Sequence, residues 1–262
     1  MIRIRERVVV GLVLLGAVPA LPGLAEESEP VVAVPGEAFV NANAAYEAGD
    51  FGRAIALYEG LLERGFETGH LHYDLGNAYL RGGELGRAIA SYRRSQAFLP
   101  RDQDVAANLA FARKSARDAI RPPEPGAVAR TLFFWHYGLS RAELGTIFAV
   151  VNLLLWTVIA LRLYRRGSEL LRWTFMALAI VLVAVGAPLA VHHLWTPAVA
   201  VIVPQEIDVR SSPREPGVVL FKLHAGTEVP VVDRREGALR IALPEEGRGG
   251  WIDAEHAEVV VR

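Results

Sequence analysis

Gly49-Asp50-Phe51-Gly52-Arg53-Ala54-Ile55-Ala56-Leu57-Tyr58 and Gly83-Glu84-Leu85-Gly86-Arg87-Ala88-Ile89-Ala90-Ser91-Tyr92 are one phrase written twice, 34 residues apart. Self-similarity at a fixed period of this length marks stacked units, each burying its apolar face against the next. The apolar spacing within each copy is helical, and the leading glycine supplies the turn between two helices. Ahead of the second copy, Leu71-His72-Tyr73-Asp74-Leu75-Gly76-Asn77-Ala78-Tyr79 reads as the partner helix, and Pro100 closes the unit. Gly76 and Ala88 are small where the two helices must cross closely, while Tyr79 and Tyr92 fill the space between them. These positions carry packing, and none is a candidate for catalysis.

The period, with Leu75-Gly76, Tyr79, Ala88, Tyr92 and Pro100 at their spacings, resembles the tetratricopeptide repeat. The first copy departs from the pattern, with Asn41-Ala42 in place of Leu75-Gly76 and Phe66 in place of Pro100, as terminal repeats of a stack commonly do. Asp102 to Arg117, apolar at 105, 109 and 112, reads as a capping helix, which puts the repeat domain at 37–119 as two repeats plus a cap. The resemblance implies an α-solenoid with a concave groove lined by the first helix of each unit. Phe39, Asn43, Tyr46, Tyr73, Asn77, Leu80 and Phe111 would form its protein-binding surface, with His70, Ala107 and Lys114 on the same face. Asn43 and Asn77 would bond the backbone of an extended peptide, and Tyr46, Tyr73 and Phe111 would hold its apolar side chains. The plainer reading makes them ordinary groove surface. Asp74 and Asp104 stand where a clamp for a C-terminal carboxylate needs amide or basic groups, so that use of the groove is not expected.

The chain of 262 residues is 52% hydrophobic, and the apolar excess falls in three blocks. Arg3, Arg5 and Arg7 precede a short apolar run from Val8 to Val18, and Gly23-Leu24-Ala25 offers small residues for cleavage before Glu26. Residues 1–25 therefore read as an export signal, followed by a linker at 26–36, with an uncleaved anchor as the alternative. Leu144–Leu161 and Trp173–Val191 are uncharged and long enough to cross a bilayer. Ser140 and Glu143 have capping-box spacing, so the first span is predicted to start there. Arg162, Arg165, Arg166 and Arg172 crowd the short turn between the spans and place it in the cytoplasm. Both flanking domains then lie outside, as the signal also demands. A hairpin at 139–195 in the bacterial inner membrane follows, reached through a second linker at 120–138. Asn152 and Thr157 are the main polar groups at depth in the first span, to be read as helix packing or oligomer contacts.

From Ala198 the texture changes to β-rich runs broken by Gly and Pro, about five strands in a small barrel. Val209-Arg210-Ser211-Ser212-Pro213, Ala225-Gly226-Thr227-Glu228-Val229 and Gly249-Gly250-Trp251-Ile252, in that order, resemble the bacterial SH3 pattern and set a domain at 197–262. Trp251 is read as packing in preference to ligand binding. The expected fold class is thus multidomain α plus β: a tetratricopeptide α-solenoid, a transmembrane α-hairpin and a small SH3-like β-barrel.

A net charge of −1 gives no field that would draw the chain to nucleic acid. The absence of cysteine removes disulfides, thiolate catalysis and Cys-ligated zinc. Seven histidines form no H-E-x-x-H set, and adjacent His192 and His193 diverge on a helix. No catalytic residue, cofactor or metal is expected. The domain order resembles the BatE family of bacterial aerotolerance-operon proteins. That likeness implies a non-catalytic envelope protein, with repeats and SH3-like domain in the periplasm, partnered by membrane-bound von Willebrand A-domain proteins and a MoxR-type ATPase. The alternative is an envelope protein whose SH3-like module contacts peptidoglycan while the repeats recruit a wall-synthesis or division factor.

Overall fold

The computed structural model of the chain describes residues 34–118, 133–165, 167–195, 198–213, 217–235, 237–243 and 247–260, with single positions at 120, 126 and 131. The signal-like segment 1–25 and the linker up to residue 33 lie outside the described residues. So do the side chains of His136, His192, His193 and Trp195.

Five helices open the described chain: α1 Val34–Glu47, α2 Phe51–Glu63, α3 Gly69–Arg81, α4 Leu85–Phe98 and α5 Gln103–Ser115. Side-chain caps fix the starts of α2, α3 and α5: Asp50 accepts from Arg53 N–H, Thr68 from Leu71 N–H, and Asp102 from Asp104 and Val105 N–H. The turns repeat at the 34-residue period. Gly49 and Gly83 take φ of 79° and 85°, and the residue after each donates back five positions, Asp50 to Ala45 at 2.9 Å and Glu84 to Tyr79 at 2.8 Å. This is the left-handed helix cap that glycine adopts at least cost. At the α3–α4 crossing a Cβ on Gly76 would stand 2.8 Å from the Tyr92 ring, so only glycine allows that approach. Ala54, Tyr58, Ala78, Tyr79, Ala88, Ile89 and Tyr92 form the buried centre.

A short helix α6 (Phe134–Gly138), within the stretch read as linker, precedes two long antiparallel helices, α7 (Arg141–Tyr164) and α8 (Glu169–Trp195). The Ser140–Glu143 capping box forms in full at the start of α7. Leu144, Val151 and Val158, seven residues apart, are the buried face of α7, and Phe148 lies over Gly186 of α8. Pro188 has no N–H to offer the Ala184 carbonyl one turn earlier, and the Trp135 indole N–H donates to that oxygen at 3.1 Å. Trp135→Phe keeps the ring and removes the donor. It should lower hairpin stability in a detergent unfolding titration by about 1 kcal/mol, whereas an unchanged midpoint would mean that the bond contributes nothing.

The rest is a seven-stranded antiparallel sheet, β1 Val199–Ile202, β2 Glu206–Arg210, β3 Val219–His224, β4 Glu228–Arg235, β5 Ala238–Leu243, β6 Arg248–Asp253 and β7 Ala257–Val260, in the order β3-β2-β6-β5-β4-β1-β7. The reading of about five strands falls short here. β7 is a short mixed run after a 3-10 turn at Ala254–His256, with too little apolar alternation to be seen by pattern. Gly249 and Gly250 are where strands come too close for side chains: a Cβ on Gly250 would lie 2.5 Å from Val209 and one on Gly249 2.6 Å from the Ile241 carbonyl oxygen. β1 is buried at all four positions because it serves two cores. Ala200 and Ile202 join Val209, Leu239, Ile241 and Ile252 inside the sheet region, while Val201 joins the helical core with Val260. The helical repeats and the sheet region thus share one continuous apolar contact.

Candidate functional site

Residues read from the sequence as groove lining repeat in position and in contacts. On the first unit Phe39 packs on Tyr58 with ring centroids 6.0 Å apart, and the Tyr58 hydroxyl donates to Asn43 Oδ1 at 2.7 Å. On the second, Tyr73 packs on Tyr92 at 6.1 Å, and the Tyr92 hydroxyl donates to Asn77 Oδ1 at 2.7 Å. Every member of one set lies 34 residues from its counterpart. Residues 39–118 match the tetratricopeptide repeat family. Repeats of this family commonly hold other proteins and are typically non-enzymatic scaffolds. No curated protein matches the chain.

The carbonyls of Asn43 and Asn77 accept within the tetratricopeptide unit. Asn108 Nδ2 adds bonds to Asn77 Oδ1 at 2.9 Å and to the Tyr73 hydroxyl at 3.0 Å, linking α5 to α3. Burial pushes the Tyr58 and Tyr92 hydroxyls well above the usual tyrosine range, so they remain donors at any physiological pH. Asn77 Oδ1, accepting two bonds, is filled, whereas Asn43 Oδ1 accepts one and keeps a second lone pair; both side chains have N–H groups to offer a partner. Of the seven residues expected to line a groove, Phe39, Tyr46, Tyr73 and Leu80 pack partly buried against the repeat core. Phe111 on α5 is 62% exposed.

A second constellation escaped sequence reasoning. The turn Ala225-Gly226-Thr227-Glu228 is where the sheet region docks on the tetratricopeptide unit. Gly226, at φ 84°, comes so close that a Cβ would lie 2.9 Å from Ile89. Thr227 donates to Asp118 Oδ2 at 2.8 Å, the His224 backbone N–H donates to the same oxygen at 2.8 Å, and His224 Nδ1 lies 3.0 Å from Oδ1. Glu228, 1% exposed, receives the Arg93 guanidinium on one side. On the other it takes two bonds from Arg113, at 2.6 and 3.0 Å. Its burial would raise the carboxyl pKa, but the bonds from Arg113 and the charge of Arg93 outweigh this and hold it below the usual glutamate range. Nearby, Arg94 pairs with Glu258 of β7. At Gly86 of α4 a Cβ would fall 2.2 Å from the Ile202 carbonyl oxygen.

These partners are more than 100 residues apart in the chain, so no local pattern announces them. One signal was available. Arg93 stands at the repeat position held by Glu59 in the first copy, a charge reversal on an otherwise duplicated helix.

The sheet region has a cleft of about 220 Å³ lined by Asp208, Arg210, Ser212, Trp251 and Asp253 among others. Trp251 is partly buried there, with the Arg235 guanidinium 5.7 Å from its ring centroid. Among the described residues no three His, Asp or Glu side chains converge as a metal site.

Proposed function

We propose that this chain is a non-catalytic, membrane-anchored adaptor whose tetratricopeptide groove grips an extended segment of another protein. The observation that carries this reading is the duplicated Asn–Tyr–aromatic lattice. Its asparagine carbonyls accept from the repeats' own tyrosines, its amide N–H groups remain for the carbonyls of a peptide backbone, and aromatic rings stand beside them. Peptides selected on the full chain in detergent should lose about five- to tenfold in affinity on Asn43→Ala or Phe111→Ala, the worth of one hydrogen bond or one apolar anchor. Val232→Ser on the exposed face of β4 should change nothing. Selected peptides that bind both groove variants as tightly as the parent would count against the groove.

Membrane anchoring rests on α7 and α8. Their best windows have mean hydropathy of 2.3 and 2.1, yet only 17% and 6% of those windows is buried within the protein. Leu153, Trp156, Ile180 and Val183 are among the exposed apolar side chains, and lipid is the solvent that suits them. We assign the domains as 37–119 for the repeats, 139–195 for the hairpin and 197–262 for an SH3-like module. Because Glu228 follows the hairpin and Arg93 and Arg113 precede it, their buried contact requires both domains on one face of the membrane. The arginines of the intervening turn favour the cytoplasm for that turn and the periplasm for both domains. This arrangement suits a BatE-like role in an envelope complex with von Willebrand A-domain proteins and a MoxR-type ATPase.

A second reading, peptidoglycan binding by the SH3-like module, is favoured by the Trp251 cleft with its two carboxylates. Retention of the full chain on purified wall sacculi, lost on Trp251→Ala, would support it.

A further inference from the structure

Asn152 is the middle residue of α7, and among the described residues its carboxamide has no hydrogen-bond partner. In water that is unremarkable, but at the centre of a bilayer a primary amide lacks any solvent partner. Its position on the helix is specific. Leu144, Val151 and Val158 are the buried positions of α7, whereas Asn152 lies about 100° round the helix from Val151, in the series Ala142, Gly145, Ala149, Asn152, Trp156, Ile159. The steps along that series are 3, 4, 3, 4 and 3, the spacing of a seam between two helices crossing at a shallow angle. Ala142, Ala149 and Trp156 are exposed, and a Cβ on Gly145 would meet nothing within 4 Å. Three small residues at one end of the seam permit close backbone approach, and a single amide sits at its middle.

We propose that two copies of the chain pair in parallel along this face of α7, with the two Asn152 carboxamides bonded to each other across a two-fold axis at the bilayer centre. The occupant follows from the amide itself. A carboxamide carries donor and acceptor together, so its complement under two-fold symmetry is a second carboxamide, and the pair satisfies both reciprocally. A buried asparagine of this kind also fixes register, since sliding one helix would strand both amides. The inference rests on the membrane reading of α7 and α8.

The chain has no cysteine, so single-cysteine variants of the full chain give a clean test in native membranes. Ala149→Cys and Trp156→Cys lie on the seam, while Val150→Cys and Leu154→Cys point elsewhere on the same helix. On oxidation with copper phenanthroline, the two seam variants should give disulfide-linked homodimers and the other two should not. Adding Asn152→Leu to Ala149→Cys should cut the dimer yield about five- to tenfold, the worth of two interhelical hydrogen bonds in a membrane. Four equal yields, an Asn152→Leu variant that dimerises undiminished, or adducts with a different protein would each overturn the pairing. So would an absence of dimer from membranes that keep the chain through an alkaline carbonate wash. Release of the chain by that wash would instead overturn the membrane reading beneath it.

Discussion

Glu228→Ala is expected to destabilise the joined repeats and sheet region by about 3–5 kcal/mol, the usual cost of removing one partner from a buried ion pair. The carboxylate is 1% exposed and takes bonds from Arg93 on α4 and Arg113 on α5, so its loss removes a buried acceptor that two guanidinium groups share under the sheet. Chemical denaturation of the full chain in detergent, followed by tryptophan fluorescence, reads the change through Trp251. Glu228→Gln, which keeps the shape, should lose less. The pH dependence has a definite sign. The folded carboxyl is held below its ordinary pKa, so its stabilising contribution is complete above the unfolded value of about 4.3 and is lost as pH falls through the lower folded value. The parent should therefore lose stability below about pH 4 more steeply than Glu228→Gln. A variant whose midpoint and acid limb match the parent would remove Glu228 from the docking account.

The second large effect is a reversal of sign between two equivalent glycines. Gly52 and Gly86 occupy the same position of α2 and α4, 34 residues apart, and both are helical. Alanine within a helix is ordinarily better than glycine by about 0.5–1 kcal/mol, and a Cβ on Gly52 would meet nothing within 4 Å, so Gly52→Ala should stabilise by that amount. Gly86→Ala carries the same helical gain, but its Cβ would fall 2.2 Å from the Ile202 carbonyl oxygen and 2.7 Å from Val203 Cα, both backbone atoms that cannot rotate away. Overlap of this kind costs about 1–3 kcal/mol or more, so Gly86→Ala should be net destabilising, with the loss falling on the docking of β1. If both alanines stabilise equally, the sheet region does not sit on α4.

The helices were legible because their causes are local. The 34-residue phrase, the turn glycines at 49 and 83 and the capping box at Ser140 each act within a few residues, and the structure places helix boundaries beside them. The groove reading needed one amendment. Asn43 and Asn77 do face tyrosines, but their carbonyls already accept from Tyr58 and Tyr92, which leaves the amide N–H groups as the main contribution to a ligand. Two further features depend on residues distant in sequence. The Trp135 bond to Ala184 is meaningful only once Pro188 is seen to leave that carbonyl without a donor. The docking of Glu228 between Arg93 and Arg113 has no periodicity to betray it. Besides the charge reversal at Arg93, a second trace of it was written in the sequence. Val199-Ala200-Val201-Ile202 is apolar without alternation, the mark of a strand covered on both sides, and the second cover is α4.

On the proposed membrane reading of α7 and α8, the repeats and the sheet region lie together on one side of the bilayer. Single cysteines at Arg53, Arg165 and Val232, all exposed positions, can be probed in intact spheroplasts with a membrane-impermeant maleimide, before and after permeabilisation. The account predicts that Arg53→Cys and Val232→Cys label in intact spheroplasts while Arg165→Cys labels only after the membrane is opened. Labelling of Arg53→Cys and Val232→Cys from opposite sides would contradict it outright.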